Sequence, residues 1–312
     1  MLSCNHYVLI DVGLHEPKIV INAIQHIGQP FYVHVSRSYQ SYNPALGDTL
    51  FIDDARVEIW ENGSLLSSLD YRDTLYSAQT NPFTAPSSKY FSHYESPADI
   101  LVQEDRTYEL RVFHDEYDDI TAIITTPIIP KLDTPNVLFG LVSVSDIDGT
   151  DRRFDIIEVD IKDPAGSENW YSLDIDVVRT FPFDTMRLDT SQAIGVSVVS
   201  QYSPGQLIFT GSYLSNDVGR NGQNFTLNFG INSRLIYSGG SLSTVLYPNE
   251  ITFRLNTYER SAAAFFKGIE DQRQASGTNP FLGPEALEIP SNIDGGYGVF
   301  GAMSIYEVRK EY

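Results

Sequence analysis

Apolar side chains alternate with polar ones in short runs along much of this 312-residue chain, and this feature most constrains its fold. In the run from residue 31 to 36, for example, Phe31, Val33 and Val35 fall on one face of an extended segment. A period of two places every second side chain on the same side of a β-strand, whereas an amphipathic helix needs a period near 3.6. The alternation therefore predicts a mainly β protein.

Turn residues separate the predicted strands at spacings that suit antiparallel pairing. Val57 and Ile59 alternate ahead of Asn62-Gly63, a dipeptide that readily takes the positive φ angles of a tight hairpin turn. Further alternating or β-branched runs predict strands at residues 65–69, 108–112, 120–125 and 157–161. Short strands separated by turns are typical of an antiparallel sandwich of the immunoglobulin type.

A proline-rich stretch marks the predicted domain boundary. Three prolines fall within residues 127–135, and proline fits neither a central strand nor a helix interior because it lacks the amide proton and fixes φ. We therefore predict two β-sandwich-like domains, an immunoglobulin-like one and a larger β-rich one, behind an N-terminal lipid-anchor tail. The predicted segments are residues 1–16 for the tail, 17–130 for the first domain and 131–312 for the second.

One segment of the second predicted domain departs from the period of two. Apolar residues there recur at the spacing of a helix face, namely Tyr258, Ala262, Phe265 and Ile269. Gly277 supplies a stop signal, and Thr257 is a suitable N-cap residue. We expect one amphipathic helix at about residues 258–275, packed on the C-terminal β-sandwich-like domain.

Charge and cysteine content exclude several partners and sites. The chain has 41 acidic and 21 basic residues and a net charge of −20. Such a surface repels nucleic acid and anionic lipid, because phosphate binding needs clustered Lys and Arg. The single cysteine, Cys4, excludes an intramolecular disulfide and a four-cysteine zinc site. We expect no nucleic-acid partner.

The positions of the histidines limit the chemistry of the larger predicted domain. All six lie at or before residue 114, namely His6, His15, His26, His34, His93 and His114. That domain therefore lacks the imidazole of a Ser-His-Asp or Cys-His centre and of a histidine-based zinc site. Residues 296–301 match G-x-G-x-x-G, but a strand-like segment follows where a dinucleotide site needs a helix, which favours a tight turn or a bulge.

Two acidic clusters leave alternatives open. Residues 146–151 and 115–119 are rich in Asp, which suits calcium, but a solvated turn and a hairpin tip explain them as well. Because 41 acids produce many close pairs, the sequence does not select a carboxylate couple of the glycosidase type. We predict no catalytic residue, no metal ligand and no cofactor.

The position of Cys4 indicates membrane attachment. Met1-Leu2-Ser3-Cys4 resembles the end of a bacterial lipoprotein signal, in which a small residue precedes the cysteine that receives lipid. A free thiol in an N-terminal tail is the alternative. We expect Cys4 to be a lipidation site.

Four features of the chain resemble a known family. They are Cys4, the strand end at residues 33–39 with the later segment 54–59, residues 106–110 before the prolines, and a closing stretch with Asn279-Pro280-Phe281 and residues 291–301. On these residues the chain resembles the surface lipoproteins of Bacteroidota classed under domain of unknown function 4249 (DUF4249). The resemblance spans nearly the whole chain.

The resemblance implies an exported lipoprotein of the outer membrane, of a kind often encoded beside TonB-dependent transporters. We therefore expect a lipid-anchored, non-catalytic binding or accessory subunit on the periplasmic or cell-surface face of the outer membrane. Its expected partner is an outer-membrane β-barrel protein such as a TonB-dependent transporter. The alternatives are a cell-surface hydrolase that acts on glycans or peptides through a carboxylate pair, and a purely structural or adhesive surface protein.

Overall fold

The structure is a computed structural model of the chain. Cys4 and residues 146–150 lie outside the residues that it describes, so their predicted roles stay predictions. The described residues are 16–39, 50–78, 87–132, 136–145, 151–166, 168–179, 192–196, 200–203, 206–209, 215–217, 222–231, 235–239, 242–246, 250–277 and 288–311.

Strands make up most of the described chain, and one α-helix accompanies them, so the prediction of a mainly β protein is confirmed. The first seven strands are β1 (Ile19–His26), β2 (Tyr32–Arg37), β3 (Arg56–Glu61), β4 (Ser64–Ala78), β5 (Ser87–Glu95), β6 (Thr107–His114) and β7 (Tyr117–Thr125). The next twelve are β8 (Lys131–Leu132), β9 (Asn136–Ser145), β10 (Asp151–Lys162), β11 (Trp170–Arg179), β12 (Gln192–Val196), β13 (Ser200–Ser203), β14 (Gln206–Phe209), β15 (Ser215–Asn216), β16 (Asn224–Ile231), β17 (Leu235–Gly239), β18 (Leu242–Leu246) and β19 (Glu250–Tyr258). The helix α1 (Arg260–Gly277) and the strand β20 (Tyr297–Glu311) follow.

The largest sheet joins strands from both ends of the described chain. Its order is β12-β11-β19-β20-β1-β2-β5-β4-β3-β6-β7, with β15 paired to β11. The pairing of β1 with β20 is parallel, whereas the neighbouring pairs β1–β2 and β19–β20 are antiparallel. A six-stranded sheet contains β8, β9, β10, β13, β14 and β16, and β17 pairs with β18.

The side chains of alternate residues point into one core. Along β1, Ile19, Ile21 and Ala23 are buried, and β20 adds Phe300 and Ala302 to the same cluster. The inward faces predicted from the alternation are confirmed by the burial of Phe31, Val33, Val35, Val57, Ile59, Tyr108, Leu110 and Val112. Burial of these apolar faces accounts for the curvature of the sheet around them.

The sheet curls until β7 reaches the segment that precedes β20. The Thr121 amide donates to the Asp294 carbonyl oxygen at 3.2 Å, and the Asp294 amide donates to the Thr121 carbonyl oxygen at 2.9 Å. This pair of hydrogen bonds connects the edge strand β7 to the part of the chain that leads into β20. It leaves fewer unpaired backbone groups at that edge.

The hairpin turn predicted at Asn62-Gly63 is confirmed. The φ angles are 51° at Asn62 and 74° at Gly63, and β3 and β4 pair on either side of them. Both angles are in the left-handed region, which Asn and Gly adopt at low cost.

The predicted helix is present, but its N-cap is Glu259 and not Thr257. The Glu259 carboxylate accepts hydrogen bonds from the Ser261 amide at 2.5 Å and from the Ala262 amide at 3.1 Å. Thr257 lies two residues earlier in β19, where it pairs with Ser304. The strand continues past Thr257 because its ladder with β20 supplies backbone partners, so the cap moves to the first residue beyond the ladder.

The glycines of residues 296–301 serve strand and helix packing. Gly298 has a φ angle of 105°, and a Cβ atom there would overlap the carbonyl oxygen of Ile21 in β1. A Cβ atom on Gly301 would lie 2.8 Å from the Cβ atom of Ala262 in α1. Glycine makes both close approaches possible because it has no Cβ atom. The predicted bulge is absent from residues 297–301, which pair with β1 in unbroken register, whereas Gly295 and Gly296 form a bend just before the strand.

Candidate functional site

The acidic cluster at residues 115–119 lies at the tip of the hairpin between β6 and β7, as the hairpin interpretation predicts. It forms one wall of an open groove of about 770 Å³. The opposite wall contains residues 51–54, just before β3. We call this feature the acidic groove and define it by its charged residues: Asp53, Asp54, Asp115, Glu116, Asp119, Arg37 and Arg56.

A buried tyrosine holds one wall of the acidic groove in place. The Tyr94 hydroxyl accepts a hydrogen bond from the Ala55 amide at 2.9 Å and donates one to the Ile52 carbonyl oxygen at 3.1 Å. Burial raises the pKa of Tyr94 to about 12, so it remains a neutral donor. The two bonds fix the backbone on both sides of Asp53 and Asp54, which face solvent.

His114 connects the two walls of the acidic groove. Its Nδ1 atom accepts a hydrogen bond from the Glu116 amide at 3.0 Å. A backbone amide can only donate, so Nδ1 carries no proton and Nε2–H donates to the Asp54 carboxylate, also at 3.0 Å. Both ring nitrogens are therefore occupied. In this arrangement His114 positions the hairpin and lacks the free nitrogen that a general base needs.

A ladder of paired charges and rings continues from the groove across β3 and β6. The Arg56 guanidinium lies 4.1 Å from the Phe113 ring centroid, and Arg111 lies 4.1 Å from that of Trp60. The Arg111 side chain also donates two hydrogen bonds to Glu109, at 2.7 and 2.9 Å, which lower the pKa of that carboxyl group. Such contacts restrict the long side chains beside the groove and preorganise its charges.

A second cluster of titratable groups lies on the outer face of β2 and β5. His34 Nδ1–H donates to the Ser92 carbonyl oxygen at 2.7 Å, and the Tyr32 hydroxyl is 2.5 Å from His34 Nε2. Burial lowers the pKa of His34, and the nearby His93 acts in the same direction. The neutral imidazole therefore accepts from Tyr32, and both of its nitrogens are occupied, as in His114.

A third cluster contains two buried carboxyl groups that the sequence interpretation missed. Asp163 accepts hydrogen bonds from the Tyr171 hydroxyl and from the Gly222 amide. Asp217 accepts one from the Asn169 amide at 3.1 Å, while its Oδ1 atom has no hydrogen-bond partner among the described residues. Burial, followed by the charge of Asp163, raises the pKa of Asp217. The cluster holds the turn after β10 against β11 and β15.

Comparison with known proteins decides the family. The family described as Domain of unknown function (DUF4249) matches residues 7–309 of the chain. The chain belongs to the DUF4249 family. No curated protein and no solved structure matches it. The resemblance seen in the sequence is thus confirmed at the level of the family, which carries no assigned activity.

The acidic groove of this DUF4249 chain presents exposed carboxylates to solvent. No set of three or more His, Cys, Asp or Glu side chains in the described ranges is arranged to hold a metal ion. The imidazole in the acidic groove has both nitrogens engaged. What the groove offers is a row of solvated carboxylates on a fixed backbone, which can attract and orient a cationic partner.

Cys4 lies outside the described residues. Across the described ranges, no helix has the length and apolar character needed to cross a bilayer.

Two groups of site residues escaped the sequence interpretation for different reasons. The turn at Asp163-Pro164-Ala165-Gly166 is visible in the sequence, but nothing local indicates that Asp163 is buried. Tyr94 meets its two partners about 40 residues earlier in the chain. A single sequence gives no signal for such pairings, because they depend on which strands become neighbours.

Proposed function

We propose that the chain is an outer-membrane lipoprotein that acts as a non-catalytic binding subunit of an outer-membrane β-barrel complex, such as that of a TonB-dependent transporter. The observation that carries this proposal is the acidic groove, an open surface whose walls are joined by His114 and Asp54 and whose histidine has no nitrogen free for proton transfer. A fixed row of carboxylates fits recognition of a basic segment on a partner.

Lipid attachment at Cys4 is the second part of the proposal. It is supported by the Ser3-Cys4 pair, which follows the apolar residues Met1 and Leu2. The net charge of −20 also fits a protein whose membrane contact depends on lipid more than on basic residues. The protein then lies on the periplasmic or the cell-surface face of the outer membrane.

Affinity purification from native membranes tests the binding function. We expect a tagged chain to recover a β-barrel protein in near-equal amount after gentle solubilisation. The groove variant Asp115→Asn with Asp119→Asn should recover several-fold less barrel. The control Asp70→Asn with Asp99→Asn removes the same charge from exposed acids outside the groove and should recover as much as the unaltered chain. Recovery of the unaltered chain as a clean monomer would count against the proposal.

The competing function is a surface hydrolase that uses two carboxylates of the acidic groove. Its support is the presence there of Asp53, Asp54, Asp115, Glu116 and Asp119, since glycoside hydrolysis needs only two suitably spaced acids. Incubation of the purified chain with surface glycans and peptides distinguishes the two functions. A product whose formation stops in single Asp→Asn variants of the groove would replace the binding proposal with this one.

The finer architecture also remains a proposal. Two β-sandwich-like domains with a boundary near residue 130, the first immunoglobulin-like, are supported by the prolines of residues 127–135 and by a six-stranded sheet whose strands all follow residue 130. The 12-stranded sheet, however, contains strands from both sides of residue 130. Limited proteolysis tests the division: cleavage near residue 130 that leaves no stably folded fragment would refute two independent domains.

A further inference from the structure

Outward-facing residues of three neighbouring strands and the adjoining segment line up in one row at an end of the large sheet. In the strand register, Tyr297 of β20 lies beside Val20 of β1, and Val20 lies beside Ser36 of β2. Ser36 in turn bridges to Phe51. The inward neighbours of this row belong to the core, for example Ile21 and Val35, so the row itself faces away from the core.

Aromatic rings are exposed along this row and beside it. Tyr39 is 51% exposed, Tyr297 45% and Phe51 41%. Val20, Tyr39 and Phe51 line a shallow groove of about 380 Å³. We call Val20, Tyr39, Phe51 and Tyr297 the aromatic patch. Large rings that are left half in water mark an interaction surface, and rings with a polar end suit the boundary between water and the acyl region of a bilayer.

Local positive charge accompanies the aromatic patch. The Lys18 ammonium lies 5.7 Å from the Tyr297 ring centroid, and Arg37 lines the same shallow groove as Phe51. A lysine beside an exposed ring can keep its charged end among lipid phosphates while its carbon chain lies on the ring. Phe51 and Arg37 also line the acidic groove, so the positive charge specific to the patch is that of Lys18 beside Tyr297.

The segment that carries Cys4 enters the sheet at this patch. The Lys18 amide donates to the Ser38 hydroxyl at 3.0 Å, and the Ser38 amide donates to the Lys18 carbonyl oxygen at 2.8 Å. These bonds fix the entry of the chain into β1 next to Tyr39 and Tyr297. Fourteen peptide units separate Cys4 from Lys18, so even a fully extended connection places Lys18 within about 50 Å of an anchored Cys4.

We propose that the aromatic patch rests on the headgroup layer of the bilayer that holds the anchor, and so orients the protein with the Lys18 end of β1 towards the membrane. This inference rests on the proposed lipid attachment at Cys4. The anchor keeps the patch at a high effective concentration near the lipid, so a surface with weak affinity of its own suffices. Other exposed apolar residues such as Leu65 and Leu101 lack both the neighbouring aromatic row and the anchored segment.

Quenching by brominated lipids tests the orientation without the cell's lipidation machinery. Cys4 is the single cysteine, so the purified chain can be coupled through it to maleimide-bearing lipid in phosphatidylcholine vesicles whose acyl chains carry bromine. Indoles are introduced by Phe51→Trp or Tyr297→Trp, and the matched control is Leu65→Trp, at a residue that is 49% exposed. The signal of Trp60 and Trp170 is subtracted with the otherwise unaltered chain.

We expect quenching of the indoles from Phe51→Trp and Tyr297→Trp to exceed that of the Leu65→Trp control at least twofold. With Tyr39→Trp as the reporter, the further changes Phe51→Ser and Tyr297→Ser should lower the docking equilibrium constant of the anchored protein about tenfold. This is the effect expected from losing roughly 50 Å² of apolar contact with the bilayer. Equal quenching at all three positions would refute the docking.

A separate measurement distinguishes failure of the anchor from failure of the patch. The mass of the chain purified from native membranes reports whether Cys4 carries lipid. An unmodified Cys4 refutes the proposed attachment, and with it the orientation in the cell, even if the coupled chain docks on vesicles. A lipid on Cys4 together with equal quenching at residues 51, 65 and 297 refutes the patch alone.

Discussion

Gly298→Ala tests the parallel pairing of β1 with β20, which joins the two ends of the described chain. A Cβ atom at this position would lie well inside 3.0 Å of the Ile21 carbonyl oxygen, and the φ angle of 105° disfavours any side chain. The backbone conformation alone costs about 1–2 kcal/mol, and moving the strands apart adds about 2–3 kcal/mol. We expect a total loss of roughly 3–5 kcal/mol.

Gly63→Ala is the matched control. Gly63 has a φ angle of 74°, but no atom lies within 4 Å of its added Cβ atom, so this variant should lose only the conformational part, about 1–2 kcal/mol. Thermal unfolding followed by far-ultraviolet circular dichroism measures both. At about 2 °C per kcal/mol for a chain of this size, the Tm should fall by about 6–10 °C for Gly298→Ala and by about 2–4 °C for Gly63→Ala. Equal shifts would show that β1 and β20 do not approach this closely.

Two further predictions concern buried polar groups. Tyr94→Phe removes the hydroxyl that bonds the Ala55 amide and the Ile52 carbonyl oxygen, and should lower the free energy of unfolding in urea by about 2–3 kcal/mol. The exposed control Tyr297→Phe should lower it by almost nothing. Similar losses for both variants would contradict a structural role of the two Tyr94 hydrogen bonds. Burial raises the pKa of Asp217 above its ordinary value of 3.8, so as pH rises the Asp217 carboxyl group loses its proton in the unfolded chain before it does in the folded chain. The free energy of unfolding therefore falls as pH rises from about 3.8 through the pKa of the folded state. Asp217→Asn should therefore have a higher Tm than the unaltered chain near pH 7 but no such gain near pH 3, whereas a gain that is independent of pH would refute the ionisation argument.

Much of the local structure could be predicted from the sequence because it depends on neighbouring residues. The inward faces of β2, β3 and β6 follow from a period of two, and the turn between β3 and β4 follows from Asn62-Gly63. The helix was also expected from its apolar spacing. Its N-cap was predicted wrongly because Thr257 has backbone partners in the ladder with β20, and sequence alone does not show where that ladder ends.

The candidate site could be predicted only in part. The tip at residues 115–119 was expected as an exposed acidic hairpin, and it forms one wall of the acidic groove. The other wall, at Asp53 and Asp54, faces it because β3 pairs with β6. His114 lies 60 residues from Asp54 in the chain, and a contact over that distance depends on strand order.

The sequence by itself determined the mainly β character of the protein, its principal turn and helix, its acidic surface, its single cysteine and its family. These properties depend on composition or on residues a few positions apart. The tertiary structure alone decided that β20 lies parallel to β1, that β7 reaches Asp294, and that Asp163 and Asp217 are buried. Each of these requires segments far apart in the chain to meet, and their meeting is governed by burial of a shared core, which no local pattern encodes.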